Sequence, residues 1–214
     1  MTMLYDKDIR EPLFEFLEEN FGKIRIFEEK ITGTARADVL MVMEDKLCGI
    51  EIKSDADSYT RLKGQVRNYD KYYDRNMVAV GSKHAMSISE HVPDHWGIIT
   101  IDEEKGLPDF YILRPFKDNP HFEIKNKLSI LWRPELAHIQ ELNLMPAYKG
   151  RSKDFVREKI LDTVEEDILN RQISDELFER DYSTIAERIN EYRKGIGQKP
   201  RRKRRKTKYL KSAR

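Results

Sequence analysis

Residues 37–53, ADVLMVMEDKLCGIEIK, are the most strand-like part of the sequence. Two apolar runs flank the polar residues 44–46, a pattern that predicts an antiparallel β-hairpin. Three charged side chains lie within these runs: Asp38 near the start of the first, and Glu51 and Lys53 at the end of the second. Because burying an ionised group costs several kcal/mol unless it is paired or coordinated, these charges require a partner or a ligand.

The hairpin register decides whether the three charges meet. If Glu44 and Asp45 form a two-residue turn, Asp38 lies opposite Glu51, and Lys53 shares the face of Glu51 because strand side chains alternate. Opposed carboxylates repel each other, and a divalent cation between them would remove that repulsion. A slip by one residue would move Asp38 to the other face. The alternative interpretation is a cross-strand salt-bridge cluster without a ligand.

The charge is distributed unevenly along the 214 residues. The net charge is +2, but residues 199–214 contain ten Lys or Arg and no acid, which leaves 30 basic and 38 acidic side chains in residues 1–198. A polybasic arm favours nucleic acid through the release of counterions. We therefore expect a nucleic-acid contact from seven basic residues: Arg201, Arg202, Lys203, Arg204, Arg205, Lys206 and Lys208. A solvated segment without a further role is the alternative.

The order of the other elements predicts an α/β fold. Helical spacing predicts helices over residues 7–20, 57–74 and 83–91, and short apolar runs predict strands over residues 23–27, 77–81, 96–102 and 110–114, the last at a sheet edge. From Asn126 the pattern is entirely helical, with stripes over residues 128–142, 155–169 and 182–192. We expect an α/β domain over residues 1–118, a helical domain over 119–197 and a disordered basic tail over 198–214.

The hairpin charges and two flanking helices resemble the PD-(D/E)XK, or restriction-endonuclease-like, nuclease superfamily. The resemblance is carried by Asp38, the Glu51-Ile52-Lys53 triplet, the acid Glu11 on a preceding helix, and Gln65-x-x-x-Tyr69 on the following helix, which is typical of the RecB-like branch. Within that branch, the sequence is similar to a group of little-characterised bacterial and phage proteins. In one departure from the pattern, Ala37 rather than proline precedes Asp38.

The resemblance implies a restriction-endonuclease-like mixed sheet flanked by helices and a metal-dependent nuclease activity. Asp38, Glu51 and the Ile52 carbonyl would bind Mg²⁺ or Mn²⁺, and Glu11 would add a ligand or hold a bound water. Lys53 would orient the attacking water and stabilise charge on the phosphate. The reaction implied is phosphodiester hydrolysis by metal-activated water, with DNA as the expected substrate and RNA not excluded.

The same resemblance gives Gln65 and Tyr69 a catalytic role, in which they support Lys53 or contact the scissile strand. The alternative is that Tyr69 is simply a core residue on an apolar stripe and that Glu11 only balances a helix dipole. A non-catalytic nucleic-acid-binding protein on the same fold is the second functional hypothesis.

The cysteine and hydropathy patterns bear on the compartment in which the protein is expected. Cys48, the single cysteine, lies in an apolar run and is expected to be a buried, inert thiol, which fits a reducing cytoplasm. No stretch approaches the length of a membrane span, and the sequence begins without the apolar region of a signal peptide. The sequence leaves a homodimer open.

Overall fold

A computed structural model describes residues 6–32, 35–104, 106–180 and 194. The first part forms a sheet with helices inserted between its strands: α1 Asp6–Phe21, β1 Arg25–Thr32, β2 Ala35–Val42, β3 Leu47–Lys53, α2 Leu62–Tyr72, β4 Arg75–Gly81, the short α3 Ser82–Ala85 with a 3-10 turn at Ile88–Glu90, β5 Gly97–Glu104 and β6 Leu107–Arg114. Four helices follow: α4 Ile124–Ser129, α5 Arg133–Leu142, α6 Lys153–Thr163 and α7 Glu166–Phe178.

The six strands lie in chain order in one mixed sheet. β1, β2 and β3 form an antiparallel meander, β4 and β5 continue from β3 in parallel, and β6 returns antiparallel at the edge. The structure therefore confirms the predicted α/β class, a mixed sheet flanked by helices and followed by further helices.

Helices cover the sheet on two faces. Helix α1 packs on one face through Ile9, Leu13 and Leu17, which join a cluster with alternate residues of the central strands. Helix α2 and the C-terminal helices pack on the other face, where their apolar residues share a core with Leu40, Val78 and other strand residues. Side chains that alternate along β3 consequently point toward α1 or toward α2.

The described residues up to Glu179 form one compact unit, and a second unit begins at Arg180. The predicted domain division at residue 118 stays a prediction. None of the described helices combines the length and apolar character needed to cross a membrane.

Several predicted element boundaries were wrong. Helix α2 begins at Leu62, not near Asp57, because the Asp57 carboxylate accepts hydrogen bonds from Ser54 N (2.9 Å) and Ser54 Oγ (2.7 Å) and closes a turn. The first strand extends to Thr32, and the helix predicted over residues 83–91 is reduced to one helical turn and a 3-10 turn.

The C-terminal stripes also differ from the prediction. The stripe over residues 128–142 belongs to α4 and α5, and the stripe over 155–169 is divided at Val164, whose backbone is extended (φ −99°, ψ 129°). Ser152 caps α6, since its side chain accepts a hydrogen bond from Phe155 N. The predicted helix over residues 182–192 and the basic tail lie outside the described residues.

Candidate functional site

The hairpin has the register that its sequence predicts. Met43 N donates to Lys46 O (2.8 Å) around a two-residue turn, and the strand pairing continues to Val39 opposite Ile50. The pairing ends there, although the same register would place Asp38 opposite Glu51. The two strands thus part at Asp38, and we call this position the fork.

Three side chains or backbone groups from outside the ladder satisfy Asp38 at the fork. Its carboxylate Oδ2 accepts a hydrogen bond from Ile52 N at 3.0 Å. Its N–H donates to the Tyr69 hydroxyl and its carbonyl accepts from Arg10 Nη1, each at 3.3 Å. These contacts hold both the backbone and the side chain of Asp38 at the open end of the hairpin.

Glu51 and Lys53 form a buried ion pair beside the fork. Their side chains are 1% and 4% exposed, and Lys53 Nζ lies 2.5 Å from Glu51 Oε1. Gln65 Nε2 donates to the same carboxylate oxygen, and the Tyr69 hydroxyl donates to Glu51 Oε2 at 2.7 Å. Helix α2 therefore supplies two donors to the carboxylate, as its position on this face of the sheet permits.

An aromatic box holds Tyr69 in place. Its ring stacks on Trp96 with centroids 5.6 Å apart and meets the edge of Tyr73 at 5.4 Å. Gly49 lies beneath the two tyrosines, and a Cβ there would approach a Tyr73 ring carbon to 2.3 Å. The ring is thereby fixed, and its hydroxyl bridges the strands that carry Asp38 and Glu51.

The neighbouring residue of α2, Asp70, anchors the helix to the sheet. Its Oδ1 accepts hydrogen bonds from Trp96 Nε1 (2.8 Å), His95 Nε2 (3.0 Å) and Asn76 Nδ2 (3.0 Å). Since Asp70 is buried and adjacent to Tyr69, these bonds limit the rotation of α2. Sequence reasoning missed Trp96 and Asp70; the acid in the apolar stripe of α2 was the available signal for the latter.

Burial and like charge shift the titration of the site. Burial, followed by repulsion from Glu51, raises the pKa of Asp38 from 3.8 to about 6, against the lowering effects of the Ile52 N–H, Lys53 and Arg10. Burial also raises the pKa of Tyr69 well above its ordinary value, and the two carboxylates add to that effect. Tyr69 therefore remains a hydrogen-bond donor over the physiological range.

The structure brings together five of the six predicted site residues and leaves Glu11 apart from them. Glu11 is exposed on α1, and no hydrogen bond or ion pair in the described part of the chain joins it to Asp38 or Glu51. Arg10, the preceding residue, makes the contact with Asp38 instead. The seven basic residues predicted to bind nucleic acid lie outside the described residues.

The donor set at the fork suits a hard cation. Within the described ranges, no three His, Cys, Asp or Glu residues are grouped to hold a metal, so a cation at the fork would have only Asp38 and Glu51 as ionisable ligands. Gln65 Oε1 is buried and has no hydrogen-bond partner in this part of the chain. Two carboxylates, with an unused amide oxygen on a side chain that contacts Glu51, fit Mg²⁺, which binds one or two carboxylates and retains several waters.

The fold and the site define an α/β protein in which an acid-lysine cluster occupies the fork of a mixed six-stranded sheet. The chain belongs to the bacteriophage P4 protein cII family, whose model matches residues 2–204. It is also similar to the structure of SfsA from Pyrococcus furiosus in complex with Ca²⁺, with 12% identity over 56% of this chain and 67% of that chain and a TM-score of 0.33. Among curated proteins, no match is found.

Proposed function

We propose that the protein is a metal-dependent nuclease that hydrolyses phosphodiester bonds in DNA, on a PD-(D/E)XK-like fold of the RecB-like branch. The observation that carries the proposal is the meeting of Asp38, Glu51 and Lys53 at the fork. A carboxylate alone would repel a phosphate. Two carboxylates that bind a cation, with a lysine beside them, can instead bind the phosphate.

Each residue of the site has a separate role in this proposal. Asp38, Glu51 and the Ile52 carbonyl would hold Mg²⁺ or Mn²⁺, and the bound ion would offset negative charge on the phosphate oxygens. Gln65 and Tyr69 donate to Glu51 and fix its orientation.

Lys53 is the group that meets the reacting atoms. Its ammonium can orient a water and neutralise charge on the phosphate as the water oxygen forms its bond to phosphorus. The phosphorus–oxygen bond to the departing sugar breaks in the same displacement, and the proton lost by the water passes through solvent to the departing oxygen. To do this, Lys53 must loosen its 2.5 Å contact with Glu51 when the substrate binds.

The second candidate is a nucleic-acid-binding protein that keeps this fold without turnover. The occupancy of Glu51 favours it, since both carboxylate oxygens already accept hydrogen bonds and the side chain is almost fully buried. A cation would have to compete with Lys53 and Gln65 for one of these oxygens. The two candidates differ in whether that exchange occurs.

Cleavage assays on the full chain separate them. Labelled single- and double-stranded DNA and RNA are incubated with the protein in Mg²⁺, Mn²⁺ or EDTA, and binding is measured in parallel. We expect cation-dependent cleavage of DNA that falls by about 100-fold or more in Lys53→Ala and in Asp38→Ala. Lys149→Ala, at an exposed lysine, is the matched control and should cleave like the wild type.

Two results would count against the proposal. Cleavage that is unchanged in both site variants would remove the fork from the mechanism. Binding of nucleic acid without cleavage of any substrate, in either cation, would favour the second candidate.

A further inference from the structure

The hairpin ladder does not by itself fix the direction of the Asp38 side chain at the fork. In an antiparallel ladder, the N–H and C=O of one residue face the same neighbouring strand. The bond from Met43 N to Lys46 O makes the odd-numbered residues of β2 pair with β3, so the N–H and C=O of Asp38 are directed toward β1, and the β2–β3 ladder ends at Val39 and Ile50. The Asp38 side chain takes the place of the next rung, since its Oδ2 accepts a hydrogen bond from Ile52 N, and its direction depends on how the Asp38 backbone is held.

Two helices on opposite faces of the sheet contact the Asp38 backbone. Tyr69 of α2 accepts from the Asp38 N–H, and Arg10 of α1 donates to the Asp38 carbonyl. The Arg10 side chain is 15% exposed, and its Nη2 also lies 3.9 Å from Asp38 Oδ1. One guanidinium thus contacts the backbone and the carboxylate of the same residue.

Arginine is suited to this double contact. Its planar guanidinium presents several N–H groups in fixed directions, whereas the lysine ammonium is a point charge on a flexible chain. Glu28 Oε2 lies 3.6 Å from Arg10 Nη1, so a carboxylate on β1 helps to keep the guanidinium at the fork. The long distance to Asp38 Oδ1 makes the backbone contact the closer of the two.

We propose that Arg10, and not Glu11, is the α1 residue that serves the site, as a positioning residue that holds the Asp38 peptide at the fork and so aims the Asp38 carboxylate at Glu51. The consequence is a site prepared for a cation before one binds. The Ile52 N–H reports on this directly, since it donates to Asp38 Oδ2 and has its protection only while that carboxylate stays in place.

The test uses the full chain with two independent readouts. Amide hydrogen exchange measures the protection of Ile52 N–H in metal-free protein, and calorimetric titration measures the affinity for Mn²⁺. The variants are Arg10→Ala, Arg10→Lys and Glu11→Gln, with Arg171→Ala as the control at an exposed arginine of α7.

We expect Arg10→Ala to reduce Ile52 protection by about tenfold or more and Mn²⁺ affinity by about 10- to 100-fold, the usual effect of removing a residue that orients a metal ligand. Arg10→Lys should keep the fold and lose most of the protection, because an ammonium cannot make both contacts together. Arg171→Ala should match the wild type in both readouts.

The Mn²⁺ readout rests on the proposed function, and the exchange readout does not. If the wild type binds no Mn²⁺ but Arg10→Ala and Arg10→Lys still expose Ile52, the cation site fails and the positioning role stands. Unchanged Ile52 protection in the folded Arg10→Lys protein overturns the inference whatever the protein cleaves. A larger loss of Mn²⁺ affinity in Glu11→Gln than in Arg10→Ala would also overturn it.

Discussion

Replacing Asp38 by asparagine should stabilise the protein at neutral pH, although it removes a site residue. Asparagine has nearly the same shape, and its amide oxygen can still accept a hydrogen bond from Ile52 N–H. What it removes is a carboxylate that burial and the Glu51 charge make costly to ionise.

The magnitude follows from the pKa of Asp38, which is raised from 3.8 to about 6. The folded protein binds this proton more tightly than the unfolded chain does. The contribution of Asp38 to stability is therefore fully present when the pH is below the pKa of the unfolded chain. It is lost as the pH rises from 3.8 through about 6. At pH values above the folded pKa, the stability lost in this way corresponds to about 3 kcal/mol.

The assay is urea unfolding of wild type and Asp38→Asn at about pH 4 and about pH 7.5. The stabilities should be close at the lower pH, and the variant should be more stable by about 1–3 kcal/mol at the higher pH. Glu158→Gln, at an exposed acid of α6, controls for the loss of a surface charge and should shift the stability by less than about 0.5 kcal/mol.

Adding Mn²⁺ gives a second reading of the same site. A cation that binds the folded state stabilises it by mass action, so the ion should stabilise the wild type more than Asp38→Asn. A variant that is less stable than the wild type at about pH 7.5, or a difference that does not change with pH, would refute this account of Asp38.

Two further predictions concern the packing around the site. Lys127 is fully buried with its Nζ 2.9 Å from Asp74 Oδ2, so Lys127→Met should cost about 3–5 kcal/mol in urea unfolding by removing the cation beside the buried Asp74 carboxylate, and adding Asp74→Asn should recover part of that loss. Gly49→Ala would force a Cβ into the Tyr73 ring and should lower the melting temperature through a loss of about 1–3 kcal/mol, whereas Gly64→Ala, in an open part of α2, should raise stability by about 0.5–1 kcal/mol.

The hairpin shows how far local sequence rules extend. The apolar runs and the polar residues between them predicted the pairing of Val39 with Ile50 on the assumption of a two-residue turn, because both faces of β3 are buried and burial alone does not select the register. The same rules predicted helix α1 and the edge position of β6. They did not predict where α2 begins, since Asp57 is as good a turn residue as a helix cap.

The contacts around the candidate site were harder to predict from the sequence. Gln65 and Tyr69 were singled out by their spacing, but the direction of α2, which brings both to Glu51, depends on Trp96 and Asp70. Glu11 was expected near the site because it is an acid on the leading helix. Its neighbour Arg10 is the residue that the helix orientation brings to Asp38.

The sequence by itself determined that residues 37–53 hold two strands and that Glu51 and Lys53 share a face, because these depend on the alternation of side chains over a few residues. The tertiary structure alone decided which groups complete the fork. Arg10 and Tyr69 lie 28 and 31 positions from Asp38 and reach it from opposite faces of the sheet. Such contacts depend on how whole helices pack, and no local pattern of residues specifies that packing.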